Sequence, residues 1–126
     1  MRAVRFVILV LVVIVIGWGL IYNFVEKNTS EFINNLDDLS KKVENNDWEG
    51  AKIQFYKIEK KWDKAKNTWS IILDHHEIDN IDLSIAKASK YIKTQDSSLS
   101  LGEIEVLRKL FGIVRENEAL TITNIF

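Results

Sequence analysis

The chain has no cysteine and no proline, and only 5 glycines in 126 residues. Lack of cysteine excludes disulfide frameworks, zinc ribbons, iron–sulfur clusters and thiol nucleophiles together. Lack of proline, with so little glycine, argues against a turn-rich β fold and for long helices. An excess of charge of one sign is missing too. Lys+Arg 17 stands against Asp+Glu 18, a net charge of −1. That balance is not the profile of a general nucleic-acid binder. A hydrophobic content of 47% is too high for a disordered tail. The length allows one domain. It leaves no room for a Rossmann domain with a substrate domain, or for an eight-fold β/α barrel.

The apolar content is concentrated at the N-terminus. Every residue from Phe6 to Ile16 is Phe, Val, Ile or Leu, and Gly17, Trp18, Gly19, Leu20, Ile21 and Tyr22 follow. Charges flank this run at Arg2 and Arg5 on one side and at Glu26 and Lys27 on the other. As a helix, residues 6–25 measure about 30 Å, the thickness of one bilayer core. The eleven Phe/Val/Ile/Leu residues favour insertion by roughly 3–7 kcal/mol. In water such a Val/Ile-rich run would read as strand, but in lipid an unpaired backbone is too costly and helix wins. The rival reading is a cleaved secretory signal. Against it, no Ala-x-Ala-like site follows, and Leu20-Ile21-Tyr22 is still apolar beyond the glycines. An uncleaved signal anchor is therefore expected. Arg2 and Arg5 outweigh Lys27, which predicts a cytoplasmic tail at 1–5, a transmembrane anchor at 6–25 and an extracytoplasmic domain at 26–126. Trp18 and Tyr22 then fall at the outer interface. No ionisable residue lies in the span, so no transport path or proton relay is expected there.

The remainder reads as all-α, an antiparallel four-helix bundle or two stacked helical hairpins. Helices are expected at about 30–45, 48–73, 77–93 and 97–117. Thr29 or Ser30 could cap the first, Asp47 the second and Asp96 the fourth. The second has the clearest periodicity: Trp48, Ala51, Phe55, Ile58, Trp62, Ala65, Trp69 and Ile72 recur by threes and fours. Its other face carries Lys52, Lys57, Lys60, Lys61, Lys64 and Lys66. Such a face is ordinarily a solvated one, with contact to anionic lipid or wall polymer as the alternative. Apolar phase is lost around Asp74–Glu77, so a bend or a new helix start is expected there. Gly112 lies inside the fourth helix with no reason visible in the sequence. The tail Leu120–Phe126 is too apolar for a simple solvated end.

A shift of 49 residues superposes the two halves. Phe32, Leu36, Leu39 and Val43 fall on Ile81, Ile85, Ala88 and Ile92. Asp47 falls on Asp96, and Phe55, Ile58 and Trp62 fall on Ile104, Leu107 and Phe111. Identities are few, and any two helical hairpins of equal length would match at core positions, so duplication and coincidence both remain open.

Candidate chemistry is confined to two places. His75, Asp79 and Asp82 share one helix face at i, i+4 and i+7, with Glu77 beside them. A histidine with two carboxylates could bind a divalent metal. The competing reading is a structural bend whose carboxylates cap a helix. Adjacent His75 and His76 point about 100° apart and do not make a His-Glu-x-x-His motif. No metal or cofactor is assigned. The second place is Trp62 and Trp69, seven apart, which either pack the core or line an aromatic ligand pocket. No nucleophile–base arrangement or phosphate loop stands out, so no catalytic residue and no enzyme activity are expected.

The landmarks Asp47-Trp48, Trp62, Trp69, His75-x-Glu77-Ile78, Ile81-Asp82 and Asn124-Ile125-Phe126 together resemble domain-of-unknown-function family 4363, over nearly the whole chain. The resemblance implies a membrane-anchored helical protein without an established activity, encoded beside another membrane protein. The expected function is a non-enzymatic protein-interaction module at the outer face of the cytoplasmic membrane. Its expected partners are membrane lipid, through the N-terminal helix, and another membrane protein, with no nucleic acid. The alternative is a ligand- or metal-binding module using the His75–Asp82 bend.

Overall fold

A computed structural model describes the backbone of residues 1–125 and the side chains of residues 1–117. Four helices follow in order: α1 (Arg2–Glu44), α2 (Trp48–Ile72), α3 (His75–Lys93) and α4 (Ser97–Ile125). There is no strand among the described residues. Each helix packs on two neighbours, in the cycle α1–α2–α3–α4–α1. Short connections make successive helices antiparallel, which gives an up-down-up-down bundle.

α1 differs from the expectation. An anchor and a separate helix starting near Ser30 were predicted; the chain forms one helix of 43 residues, about 65 Å long. Thr29 caps nothing. Its hydroxyl donates to the Val25 carbonyl at 2.7 Å, and Asn28 Nδ2 donates to the Phe24 carbonyl at 2.7 Å. Polar side chains that bond back onto the preceding turn sit in a helix without breaking it, and no glycine or proline intervenes. The apolar run therefore passes directly into the bundle. Phe32, Leu36, Leu39 and Val43 are wholly buried there.

The two hairpins, α1–α2 and α3–α4, close with the same turn. Asn46 and Gln95 both take left-handed φ, 56° and 55°. Asp47 N–H donates to the Lys42 carbonyl and Asn46 N–H to that of Val43. At the second turn Asp96 donates to Tyr91 and Gln95 to Ile92. Both are Schellman closures. Each ends on an aspartate that caps the next helix: Gly50 N–H donates to Asp47 Oδ1 at 3.0 Å, and Leu99 N–H to Asp96 Oδ1 at 2.9 Å. The 49-residue correspondence thus extends beyond the core positions to the backbone bonds of the turn and its aspartate cap. The α2–α3 connection is different. α2 stops at Ile72, Leu73 is extended, and Asp74 Oδ1 accepts from His76 N–H at 3.4 Å. The bend expected at Asp74–Glu77 is this break.

The core is densest where Phe32, Trp62, Trp69 and Phe111 meet. Every pair among the four lies at 4.5–6.2 Å between ring centroids. Phe32 and Phe111 are stacked and the other pairs are edge-on. Aromatic rings of this size each bury roughly 150–250 Å², so the cluster links α1, α2 and α4 more firmly than the aliphatic layers beyond it. α4 runs as helix past the expected end at Asn117 to Ile125. The expectation about the side chains of the Leu120–Phe126 tail lies outside the described residues.

Candidate functional site

Six residues were singled out by sequence. Trp62 and Trp69 are core residues, 2% and 1% exposed. They pack against each other and against Phe32 and Phe111, which leaves no open slot between them. The two indoles differ in their polar edge. Trp62 Nε1 donates to Asp82 Oδ1 at 2.7 Å. Trp69 Nε1 is buried and has no hydrogen-bond partner among the described residues.

Asp82 is thereby committed to α2. Its other oxygen, Oδ2, meets Lys66 Nζ at 2.5 Å. This contact holds the Lys66 ammonium above its ordinary pKa of 10.5, chiefly through the hydrogen bond it donates to Asp82. Glu77 turns the opposite way, its Oε1 accepting from Asn117 Nδ2 of α4 at 2.8 Å. His75 and Asp79 are exposed. One helix carries all four residues, as the spacing predicted, but Asp82 and Glu77 brace opposite neighbours. Among the described residues no three His, Cys, Asp or Glu side chains are grouped so as to hold a metal ion.

The lysine face of α2 is mostly solvated and partly paired. Lys61 meets Glu31 at 2.5 Å and also lies over the Phe32 ring, 4.6 Å from its centroid. The hydrogen bond from Lys61 holds the Glu31 carboxyl below its ordinary 4.5. Lys60 lies over Tyr56 at 5.3 Å. On the other side of the bundle, Arg108 bridges α4 to α1 through Asp37 at 2.9 Å.

One surface was not anticipated. Leu99, Val106 and Ile113 on α4 are 50%, 45% and 47% exposed. They recur by seven, so they form a stripe along one side of the helix. Leu110, half-buried and packed on the core, borders it. The repeat makes this stripe specific to α4: 49 residues earlier the chain has Gly50, Lys57 and Lys64. The surface among the described residues also carries two shallow depressions. One, of about 490 Å³, is lined by Asp38, Lys41, Lys42, Asn45, Asp47 and Gln54. The other, about 230 Å³, lies between α1 and α4 around Ile33, Gly112 and Arg115. Gly112 has no atom within 4 Å of where a Cβ would stand, so packing does not require glycine there.

A family model described as "Domain of unknown function (DUF4363)" matches residues 20–125. The chain belongs to this family. The match spans all of the bundle and the outer end of the apolar run, in line with the resemblance carried by the Trp and His-Glu-Asp landmarks. No curated protein and no solved structure matches the chain. Membership in DUF4363 therefore supplies kinship and no activity, and the functional reading rests on the chain's own residues.

Proposed function

We propose that this DUF4363 protein is a single-pass, membrane-anchored, non-enzymatic interaction module. Its N-terminus is cytoplasmic, its bundle stands at the outer face of the cytoplasmic membrane, and it holds a second membrane protein against α4. Residues 2–44 form a single helix long and apolar enough to cross a bilayer, with mean hydropathy 2.8 over its most apolar window and none of that window buried within the protein. The polarity of the flanks favours Arg2 and Arg5 inside.

The observation that carries the interaction reading is the Leu99–Val106–Ile113 stripe. An apolar line at heptad spacing on a solvent-facing helix suits a partner's helix laid alongside it. The equivalent line on α2 has no such character.

The test compares crosslinked membranes from cells making wild-type protein, the Val106→Lys/Ile113→Lys double variant, and Ile53→Lys. The double variant copies Lys57 and Lys64 of the first hairpin. Ile53 is equally exposed but lies on α2. One membrane protein should be enriched with wild type and Ile53→Lys and lost with the double variant. Equal recovery with all three would remove the stripe from the reading.

A further inference from the structure

α1 enters the bundle without a linker, so the bundle's membrane-proximal end has a fixed height along the span. Three features lie at that height. First, Phe32 and Phe111 stack at 4.5 Å, which makes the antiparallel α1 and α4 level there. From that level α4 continues about 21 Å to Ile125, and the same rise along α1 reaches Trp18. The side-chain bond from Asn117 to Glu77 marks the first turn of α3. The rest of α4 runs past it, beside the outer end of the span alone. Second, Trp18 and Tyr22 are half-buried, whereas Gly19, Leu20, Ile21, Asn23 and Phe24 around them are exposed. One side of the span's outer end is covered, and α4 is the helix that reaches it. The residues 119–125 on that stretch carry no charged side chain. Third, Ile71 at the end of α2 is 86% exposed, the most exposed large apolar side chain described outside the N-terminal run. Phe32 packs between Trp62 and Trp69, so Ile71 stands about 8 Å nearer the membrane than that level, beside Glu26 and Lys27 where the span ends.

An isoleucine so exposed in water is unfavourable; at the surface of a bilayer it is a contact. We infer that the membrane-proximal end of the bundle, made of the Ile71–Leu73 corner and the last two turns of α4, is a second lipid contact seated in the interfacial layer of the bilayer that α1 crosses. Ile72 and Leu73 are half-buried against the core, so the corner is held rigidly while Ile71 projects from it. The bundle is thereby fixed against the membrane in one orientation, with the α4 stripe directed sideways along the bilayer.

This inference rests on α1 being a membrane anchor, and the experiment separates the two. The chain has no cysteine, so single cysteines can be placed in the full-length protein and labelled with an environment-sensitive fluorophore. Val13→Cys reports the span, Ile71→Cys and Thr123→Cys report the proposed contact, and Leu83→Cys, exposed on the outer face of α3, reports solvent. The labelled proteins are reconstituted in phosphatidylcholine–phosphatidylglycerol vesicles with and without brominated acyl chains. Val13→Cys should be quenched most, by deep bromines. Ile71→Cys and Thr123→Cys should shift to the blue and lose about half their emission to shallow bromines, as interfacial groups do. Leu83→Cys should keep its emission. Ile71→Cys or Thr123→Cys behaving like Leu83→Cys, with Val13→Cys quenched, would overturn the lipid contact and leave the anchor. An unquenched Val13→Cys would remove the anchor itself, and the contact with it.

Discussion

The two hairpins share a frame and differ in what they do with it. Their turns match in every backbone bond, with Asn46 and Gln95 in the same left-handed conformation and Asp47 and Asp96 in the same capping role. Their buried positions match as well, from Phe32 and Ile81 to Trp62 and Phe111. The first hairpin buries Phe32, Phe55, Trp62 and Trp69 among its aliphatic core residues, while among the described residues the second buries Phe111 as its one aromatic ring. Outside the core the order reverses. α2 presents Lys57 and Lys64 where α4 presents Val106 and Ile113. Periodic burial and a capped turn are thus enough to set the architecture. The positions free of both are where the hairpins diverge, with lysines on α2 and exposed apolar side chains on α4.

The largest test of this comparison is at the equivalent pair Trp62 and Phe111. Each truncation to alanine should destabilise the bundle by about 3–5 kcal/mol, read from tryptophan emission in denaturant. Because the rings touch at 6.0 Å, the double variant should lose less than the sum. Full additivity would mean that the hairpins are stabilised independently.

Next in size is the one polar strut between the hairpins on the α2–α3 side. Asp82→Ala strips the buried Trp62 indole of its acceptor, at a cost of about 1–3 kcal/mol. Trp62→Phe removes both needs at once and should cost less in the Asp82→Ala background than alone. Trp69→Phe gives the contrast, since its indole N–H has no acceptor to lose. A Trp69→Phe penalty from lost hydrogen bonding as large as that of Trp62→Phe would contradict this assignment.

The turns offer a smaller effect of opposite sign. Asparagine tolerates left-handed φ better than glutamine does. Gln95→Gly should therefore stabilise by about 0.5–1 kcal/mol, and Asn46→Gly by less. Equal gains, measured as shifts in melting temperature, would mean the second turn carries no extra strain. Smaller still, Val106→Lys/Ile113→Lys should leave stability within about 0.5 kcal/mol, as exposed substitutions do, which makes any lost partner a surface effect.

How much of this was legible beforehand depends on which force decided each feature. The helices, the caps at Asp47 and Asp96 and the break at Asp74 follow from local rules, and residue spacing reveals them. The continuity of α1 was missed because Thr29 and Ser30 have cap chemistry. A threonine that bonds back to Val25 has the same sequence signature as one that starts a helix. For the His75–Asp82 cluster, spacing correctly put the residues on one helix. It could not show that Asp82 would face Trp62 and Lys66 while Glu77 faced Asn117, because those partners come from other helices. The α4 stripe was within reach. The 49-residue shift sets Val106 and Ile113 against Lys57 and Lys64, a mismatch at outer positions that matched core positions do not reveal.

The smallest expected response is to pH, and it separates the hairpins by their ion pairs. The Glu31 carboxyl is held below 4.5 by Lys61, so the stabilisation from this α1–α2 bridge is complete above pH 4.5 and is lost as pH falls through the depressed value. The Lys66 ammonium is held above 10.5 by Asp82. Its contribution to the α2–α3 contact is complete below pH 10.5 and is lost as pH rises through the raised value. Both pairs are solvent-exposed, where such bridges add little. A melting-temperature profile should therefore be nearly flat through neutral pH, with Glu31→Gln removing a slight acid-side fall and Lys66→Met a slight alkaline one.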